Sequence, residues 1–251
     1  MVIERELETL FIVQARVSSK RLPSKVLKLI NSRPILEWQI LRVMQTSGPN
    51  QVVLATSEEI EDDQLESLAS NCGIPTVRGS LNNVYSRFVK TVDIYRPKVV
   101  VRITGDCPLF MPKLCESMLK EFESRNVDYL SNVLDPTYPD GCDIEIFSSN
   151  ALKQLGTFDL IASELEHVTL GIYNRKNIFK CENFFNSQDD SAYRWTLDTA
   201  DDLNFIANVY NRFAGFELSF TYEDVMLYLQ QNPSLIRYAN RKISDKGSLN
   251  V

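Results

Sequence analysis

The chain has 251 residues, 44% of them apolar and 24% charged, which suits one large α/β domain with a buried core or a domain with a small inserted lobe. The formal net charge of −6 argues against nucleic acid as a partner, because phosphate backbones are bound by a surplus of cations. No apolar run approaches the roughly 20 residues of a membrane helix, and the acidic start is unlike a signal peptide, so we expect a cytoplasmic protein with no membrane partner.

The first half of the chain alternates between apolar, β-branched runs and amphipathic stretches. Such an alternation, repeated several times, is typical of a parallel sheet that is covered by helices on both faces. In such sheets ligands bind beyond the carboxyl ends of the strands, so the loops after residues 15 and 103 are candidate sites. The expected strands cover residues 10–15, 51–56, 76–78 and 99–103, and the expected helices cover 34–45, 61–71 and 81–95.

The second half mixes shorter strands, helices and a turn-rich loop. No internal repeat or low-complexity linker divides the chain, so we interpret this half as part of the same domain. We predict a single domain over residues 1–251, with a small lobe at about 132–192 and a helical extension at about 214–251. The expected strands cover 128–132, 143–147, 179–184 and 195–197, and the expected helices cover 163–174, 200–213 and two stretches of 221–240 split at Pro233.

A basic loop follows the first predicted strand. Four cations fall within ten residues here: Arg16, Lys20, Arg21 and Lys25. Arginine binds phosphate oxygens in pairs, lysine supplies a mobile charge, and exposed backbone N–H groups fill the gaps, so the loop could surround a triphosphate. It is not a P-loop, because the GxxxxGK[ST] spacing is absent. From charge alone, a solvated basic loop is an equally good interpretation.

Two aspartates each follow an apolar run that is expected to be a strand, namely Asp106 and Asp198. Mg²⁺ is usually bound by one or two carboxylates together with substrate phosphates, so the two could share one metal ion. The alternatives are structural. Asp106 could cap the next helix, and Asp198 could belong to a helix start with Thr199, Asp201 and Asp202.

Seven short motifs lie in a fixed order along the chain. They are QARVSSKRLPSKVL (14–27), ATS (55–57) with EDD (61–63), VRGS (77–80), VRITGDCP (101–108), YPDG (138–141) with DIE (143–145), EHVT (166–169) and RWTLDT (194–199). Together they resemble the cytidylyltransferase family that includes the CMP-Kdo and CMP-sialic acid synthetases, and within it the spore-coat polysaccharide biosynthesis branch. The resemblance implies an α/β fold with a Rossmann-like, mostly parallel sheet flanked by helices, of the nucleotide-diphospho-sugar transferase type, with a small inserted lobe.

The resemblance implies an enzyme, a nucleotidyltransferase that moves CMP from CTP to an acidic sugar or sugar-like acceptor, releases pyrophosphate and serves surface polysaccharide biosynthesis. It implies Mg²⁺ as cofactor, with Asp106 and Asp198 as ligands and with Arg16 and Lys25 on the triphosphate, and these four are the expected catalytic residues. The implied nucleotide site comprises Ala15, Arg16, Ser18, Ser19, Lys20, Arg21, Lys25, Thr56, Arg78, Arg87, Gly105 and Asp106. For Arg87, a solvated helix arginine is the competing interpretation.

The resemblance places the acceptor in the lobe at 132–192 and implies a homodimer. His167 is the only histidine of the chain. A lone histidine in a helix is more often a packed residue, whereas the family likeness implies a contact with the acceptor, as a base or as a ligand. The expected acceptor contacts are Tyr138, Asp140, Asp143, Glu145, His167 and Arg194.

The basic loop departs from the pattern of this branch at two positions. Ser18 and Ser24 stand where the branch has glycine, and serine tolerates a positive φ poorly. Either the loop has another shape in this protein, or these two positions need no unusual dihedral angle.

Three other functions stay open from the sequence. The enzyme could use another NTP or a sugar-phosphate acceptor. A glycosyltransferase could share a Mg²⁺-dependent nucleotide-binding sheet, although residues 105–108 hold one aspartate and no DxD motif. A non-catalytic binding module is disfavoured because Asp106, Asp198 and the cations are all present.

Overall fold

A computed structural model describes residues 7–239; residues 1–6 and 240–251, which belong to the predicted domain and its C-terminal extension, lie outside the described residues. The strands are β1 (Leu7–Gln14), β2 (Leu29–Ile30), β3 (Arg33–Pro34), β4 (Val52–Ser57), β5 (Thr76–Gly79), β6 (Pro97–Thr104), β7 (Tyr129–Ser131), β8 (Glu145–Ser148) and β9 (Cys181–Asn183). The α-helices are α1 (Ile35–Ser47), α2 (Asp63–Asn71), α3 (Val84–Tyr95), α4 (Pro112–Arg125), α5 (Ser149–Leu155), α6 (Ala162–Glu166), α7 (Leu170–Tyr173), α8 (Ala200–Arg212) and α9 (Tyr222–Gln231). None of the helices in this part of the chain is long and apolar enough to cross a membrane.

The main sheet has the strand order β5-β4-β1-β6-β8-β7-β9, and β2 pairs with β3 in a small separate ribbon. Strands β5, β4, β1 and β6 run parallel to one another. Strand β8 is antiparallel to both of its neighbours, and β9 pairs in parallel with β7. Within residues 7–239 the sheet is therefore mostly parallel, which confirms the predicted Rossmann-like α/β fold.

The side chains of the central strand β1 alternate between two cores. Phe11 and Val13 lie in one core and Leu10 and Ile12 in the other, and all four are at most 2% exposed. Helices α1, α2, α4 and α8 contribute to the first core, and α3 and α5 contribute to the second. Because successive side chains of a strand point to opposite faces, a strand covered on both faces needs a continuous apolar run.

The helix predicted over residues 163–174 is wrong as a single element, because the structure has two short helices there, α6 and α7. Val168 between them has a φ of 42°. A positive φ is rare for a β-branched residue and does not belong to a right-handed helix. The Thr169 hydroxyl donates to the buried Glu145 carboxylate. This long-range contact is invisible in the helical spacing of the sequence.

The strand predicted over residues 195–197 is also wrong. The Trp195 N–H donates to the carbonyl of Asp140 at 2.6 Å, and the Leu197 N–H donates to the carbonyl of Asp106 at 2.8 Å. The segment therefore binds two loops instead of a neighbouring strand.

Two helices, α4 and α5, lie outside the predicted elements, and the tail differs from the prediction. Helix α4 begins at Pro112, a favoured first helical residue, and its buried side chains have helical spacing: Leu114, Cys115, Met118 and Phe122. In the tail, α9 is an α-helix, whereas the stretch at Pro233–Leu235 forms a single 3₁₀ turn.

Candidate active site

The carboxyl ends of β1 and β6 lie side by side and begin the two loops that carry the first predicted site residues. The Gly105 N–H donates to the Gln14 carbonyl at 2.8 Å. A Cβ at Gly105 would lie 2.9 Å from the Cβ of Ala15, which is too close for two side chains. Glycine is needed there because the two strand ends approach each other closely. This packing sets the basic loop beside the Asp106 loop.

Lys25 joins two carboxylates that are far apart in the chain. Its ammonium nitrogen lies 2.8 Å from Asp198 Oδ1 and 3.4 Å from Asp106 Oδ2. Arg21 adds a second cation, 2.9 Å from Asp198 Oδ2. The structure therefore brings the basic loop and both predicted metal ligands together at the carboxyl end of the parallel strands.

Neither aspartate caps a helix in the described part of the chain. Helix α4 begins after Met111 without a side-chain cap, so Asp106 has no such role. Helix α8 is capped by Thr199, whose hydroxyl accepts the Asp202 N–H while the Asp202 carboxylate accepts the Thr199 N–H. The capping interpretation thus applies to Thr199 and Asp202. The Asp198 carboxylate faces the cations instead.

Arg194 lies at the centre of a cluster of carboxylates. Its guanidinium binds three of them, at 2.9, 3.0 and 3.1 Å: Asp140, Asp198 and Asp202. Burial alone would lower the pKa of Arg194, but the hydrogen bonds and charges of these carboxylates raise it above its ordinary value. Arg194 was predicted as an acceptor contact. The structure directs its donors to these carboxylates, where it orients Asp198.

The surroundings of Asp198 keep it ionised at neutral pH. Burial alone would raise the pKa of Asp198, but the hydrogen bond and charge of Lys25 and the hydrogen bond of Arg194 outweigh burial. Its pKa therefore lies below the ordinary value of 3.8. An ionised carboxylate at this position can bind a cation throughout the neutral range.

Asp62 anchors the basic loop, although it was not a predicted site residue. It is 2% exposed, and its carboxylate accepts the Val17 N–H at 2.7 Å, the Thr56 hydroxyl at 3.0 Å and the Ser57 N–H at 3.1 Å. The loop is thereby tied to the end of β4. Thr56, predicted at the nucleotide, directs its hydroxyl to Asp62. The sequence signal for this anchor was the EDD motif at 61–63.

The two serines of the basic loop differ in backbone conformation. Ser24 has a φ of 54° and a ψ of 33°, in the left-handed region that favours glycine, whereas Ser18 has no positive φ. Of these two serines, only Ser24 is therefore strained by the absence of glycine. The side chains of Arg16, Ser18 and Lys20 are exposed and that of Ser19 is partly exposed.

The two arginines predicted near the base lie in different surroundings. Arg78 directs its Nε to the Ser57 carbonyl at 2.9 Å and its Nη1 to Asp63 at 2.6 Å, so its guanidinium is bound at α2. Arg87 is 1% exposed, and its Nε and Nη1 have no hydrogen-bond partner among residues 7–239. Burial lowers the pKa of Arg87 to about 10, so it stays cationic at neutral pH. The interpretation of Arg87 as a solvated arginine is wrong.

The turn with the predicted acceptor residues packs against the segment that leads to Asp198. Gly141 in this turn has a φ of 107°, and a Cβ there would lie 2.4 Å from the Thr196 nitrogen. Glycine is needed because two stretches of backbone meet here. The side chains of Tyr138, Asp140 and Asp143 stay partly exposed at this contact.

The EHVT motif at 166–169 borders the basic loop. Glu166 Oε1 lies 4.0 Å from a guanidinium nitrogen of Arg16. His167 follows at the end of α6 and is partly exposed. Glu166 was not a predicted site residue, although the motif contained it.

Glu145 lies beneath the surface. It is 8% exposed, and its carboxylate pairs with Arg102 and accepts the hydroxyls of Tyr129, at 2.7 Å, and Thr169. Both carboxylate oxygens are engaged inside the protein, and the expected contact of Glu145 with the acceptor stays a prediction. Glu145 holds the turn at Thr169, and with it His167, against the sheet.

Asp106 and Asp198 fit a hard cation that takes few protein ligands. Both carboxylates reach one ammonium group, at 3.4 and 2.8 Å. The described residues contain no cluster of three or more His, Cys, Asp or Glu side chains that could hold a metal ion. Mg²⁺ is commonly bound by one or two carboxylates, with waters and substrate phosphates as its other ligands. The pair could therefore hold Mg²⁺ in the presence of a phosphate ligand.

Known proteins match the chain over most of its length. A family profile described as cytidylyltransferase matches residues 10–234. The spore coat polysaccharide biosynthesis protein SpsF of Bacillus subtilis is 32% identical over 233 residues, which cover 90% of this chain and 95% of that protein. The 3-deoxy-manno-octulosonate cytidylyltransferase of Colwellia psychrerythraea is 25% identical over 213 residues, covering 81% of this chain and 68% of that protein.

Solved structures agree with these matches. A cytidylyltransferase from Leptospira borgpetersenii has a TM-score of 0.87 at 31% identity and covers 95% of this chain and 99% of its own. A CMP:2-keto-3-deoxy-manno-octonic acid synthetase complexed with CTP shares the fold, with a TM-score of 0.64 at 16% identity over 82% of this chain and 99% of its own. The resemblance inferred from the seven motifs is thereby confirmed. The chain belongs to the cytidylyltransferase family and is a nucleotidyltransferase.

Proposed function

We propose that this enzyme transfers CMP from CTP to an acidic sugar or sugar-like acceptor and releases pyrophosphate, with Mg²⁺ as cofactor. The observation that carries the proposal is the meeting of the basic loop with Asp106 and Asp198 at the Lys25 ammonium, at 3.4 and 2.8 Å. Cations and two carboxylates at one sheet edge match the needs of a triphosphate with its metal. Relatives named for spore coat polysaccharide biosynthesis and as 3-deoxy-manno-octulosonate cytidylyltransferase support this acceptor class and a role in surface polysaccharide biosynthesis.

The basic loop binds the triphosphate in this proposal. Arg16 and Lys25 contact the phosphates, and Lys20 and Arg21 assist them. These cations stabilise the charge that develops on the leaving pyrophosphate, where fixed charges are most effective. Mg²⁺, when bound, would neutralise phosphate charge. The exposed side chains of Arg16 and Arg21 can turn from carboxylates to phosphates, since their present ion pairs lie at the surface.

The base and ribose lie over the ends of β1, β4 and β5 in this proposal. We assign Ala15, Thr56 and Gly105 to this place because they lie at or directly after the carboxyl ends of β1, β4 and β6. Arg87 is close enough to Arg16 for the two charges to affect each other, and its buried Nε and Nη1 lack partners among the described residues. A buried donor without a partner is costly, so a nucleotide acceptor atom is a suitable partner for it.

The acceptor lies between the turn at Tyr138–Asp143 and the EHVT motif. The acceptor hydroxyl loses its proton, to His167 or to water, as its oxygen forms a bond to the α-phosphorus; the bond from that phosphorus to the bridging oxygen breaks, and pyrophosphate leaves. His167 contacts the acceptor, because its motif borders the basic loop through Glu166 and Arg16. The variant His167→Ala should raise the acceptor KM or lower kcat. Unchanged values of both would exclude this contact.

The test of the proposed reaction is pyrophosphate release from each of the four NTPs, with Mg²⁺ and a panel of acidic sugars. CTP with at least one sugar acid should give turnover far above the other nucleotides. Turnover with another NTP, or only with a sugar phosphate, would overturn the proposal. Consumption of a sugar nucleotide without pyrophosphate would indicate a glycosyltransferase instead.

The metal ligands have a matched control in the same segment. Asp198→Asn and Asp106→Asn should each lower Mg²⁺-dependent kcat by at least about 100-fold, since each removes a charge from the metal site. Asp201→Asn should leave kcat within about twofold, because Asp201 lies at the surface of α8 and pairs with Arg237. Equal activity of all three variants would refute the assignment.

We also propose that the enzyme is a cytoplasmic homodimer, with the lobe at 132–192 contributing to both the acceptor site and the subunit contact. Light scattering of the purified full chain measures the oligomeric state and so tests the proposed dimer. A monomer at micromolar concentration would contradict it.

A further inference from the structure

Helix α1 carries two buried polar side chains that are directed at the loop containing Asp106. Gln39 and Arg42 are both 0% exposed, and they lie three residues apart, so they share one face of the helix. Neither belongs to the substrate site described above. Both donate hydrogen bonds to backbone carbonyls between residues 104 and 110.

Gln39 holds the turn at Asp106 from beneath. Its amide nitrogen donates to the carbonyl of Thr104 at 2.8 Å and to the carbonyl of Cys107 at 2.8 Å. These two carbonyls flank Gly105 and Asp106. Since carbonyls can only accept, the amide group of Gln39 must face them with its nitrogen.

The oxygen of the Gln39 amide shows that burying this side chain costs folding stability. Gln39 Oε1 is buried and has no hydrogen-bond partner among residues 7–239. A buried acceptor without a partner lowers the stability of the folded protein, and a methionine or leucine of similar size would avoid the loss. The two hydrogen bonds to the turn are the compensating feature.

Arg42 and Tyr210 hold the rest of the loop. Arg42 Nε donates to the Phe110 carbonyl at 2.7 Å, and the Tyr210 hydroxyl donates to the Pro108 carbonyl at 2.9 Å. The carbonyl of Asp106 itself accepts the Leu197 N–H at 2.8 Å and the Thr196 hydroxyl at 3.1 Å. The loop is therefore fixed to α1 on one side and to the segment of Asp198 on the other.

We propose that Gln39 is a positioning residue that sets the distance between Asp106 and Asp198 by fixing the backbone on both sides of Asp106. This inference rests on the proposed function, because it concerns the aspartate pair used there. The two carboxylates lie on separate loops, so their distance follows from the backbone path of each loop. Displacements of about 1 Å in a catalytic group can cost about 100-fold in rate.

The experiment compares Gln39→Met with Gln45→Met in the full-length protein. Gln45 lies on the same helix but is exposed, so its variant controls for the residue change itself. Three measurements are made: hydrogen exchange of peptides that cover residues 104–111, steady-state kinetics that give kcat and the KM for CTP, and the melting temperature. Gln39→Leu repeats the test should the methionine variant fold poorly.

For Gln39→Met we expect faster exchange at 104–111 and a kcat lowered about 10- to 100-fold, with the KM for CTP within about threefold. The KM should change little because Arg16 and the other exposed cations of the basic loop do not contact Gln39. The melting temperature should fall modestly, because the Cys107 carbonyl loses its Gln39 donor while the loss of the unpartnered Gln39 oxygen offsets part of this cost. Gln45→Met should match the wild type in all three measurements.

Two results would overturn the inference. One is unchanged exchange at 104–111 in Gln39→Met, which would show that Gln39 does not hold the turn. The other is faster exchange with an unchanged kcat, which would show that the turn does not position Asp106 for the reaction. Failure of the proposed function is separate: the wild type itself would then release no pyrophosphate from CTP, and the exchange comparison would decide the structural role alone.

Discussion

Arg194→Met tests whether the cluster of carboxylates around Arg194 depends on its charge. The guanidinium binds Asp140, Asp198 and Asp202, and the four side chains are 1–20% exposed. Removal of one partner from a buried ion pair typically costs 3–5 kcal/mol, because a buried charge is left without compensation. Lys25 and Arg21 still bind Asp198, and part of the cluster reaches solvent. We therefore expect the free energy of unfolding to fall by about 2–4 kcal/mol at pH 7.

The free energy of unfolding that Arg194→Met loses should depend on pH. Burial alone would raise the pKa of Asp202, but its bonds to Arg194 and to backbone N–H groups hold it below its ordinary value of 3.8. A carboxyl with a lower pKa in the folded state adds stability above the unfolded pKa and loses it as the pH falls through the folded pKa. In the wild type this contribution is therefore complete at pH 5 and is lost below about pH 4. Without Arg194 the buried carboxyls take up protons at a higher pH, which relieves their repulsion.

The assay is urea unfolding at pH 7 and pH 5, with Arg237→Met as the control. Arg237 also contacts Asp201 and Asp202, at 3.2 and 3.6 Å, but its side chain is 35% exposed. Its loss should cost less than about 1 kcal/mol. The difference between Arg194→Met and the wild type should shrink from pH 7 to pH 5. A cost no larger than that of Arg237→Met, or a difference that grows as the pH falls, would refute the reasoning.

Three further predictions concern the backbone of the site. Gly141→Ala should lower the free energy of unfolding by at least about 3 kcal/mol, because the added Cβ would lie 2.4 Å from the Thr196 nitrogen. Gly215→Ala is the control: its φ is 85° but the space around it is open, so it should cost about 1 kcal/mol. Similar costs for the two variants in urea unfolding would contradict this. Ser24→Gly should raise the melting temperature slightly by relieving the φ of 54°, and Ser24→Val should lower it; the reverse order would be inconsistent with strain at this residue. Asp62→Asn should weaken CTP binding about 10-fold in calorimetry, because an amide cannot accept all the hydrogen bonds that the carboxylate accepts, including that of the Val17 N–H. Unchanged affinity would exclude the anchoring role.

Local patterns in the sequence predict much of the first half of the fold. The apolar run at Leu10–Val13 predicts a strand buried on both faces, and the structure confirms this. The parallel orientation of β5, β4, β1 and β6 agrees with the strand–helix alternation, because parallel neighbours need a crossover. The prediction fails at 163–174 and 195–197, where side chains and backbone bind distant loops instead of their own element.

Some features of the candidate site could also be predicted from the sequence, and others could not. The basic loop, Asp106 and Asp198 could be identified because each follows an apolar segment and because the motifs lie in a fixed order. Gln39 could not be assigned from the sequence, since a glutamine in an amphipathic segment is ordinarily a solvent-facing residue, and Asp62 was marked only by the EDD motif without a role. Their importance lies in hydrogen bonds to residues 45 and 65–68 positions away in the chain.

The sequence by itself determined the family, the kind of sheet and the loops that carry the charges, because these depend on local periodicity and on short motifs. The tertiary structure decided which of those charges are paired within the protein. Glu145 and Arg194 have the same polar character in the sequence as His167, yet their charges are paired within the protein, Glu145 with Arg102 and Arg194 with three carboxylates. The energy of a charge depends on its burial and its partners, and both are set by contacts between residues that are distant in the chain.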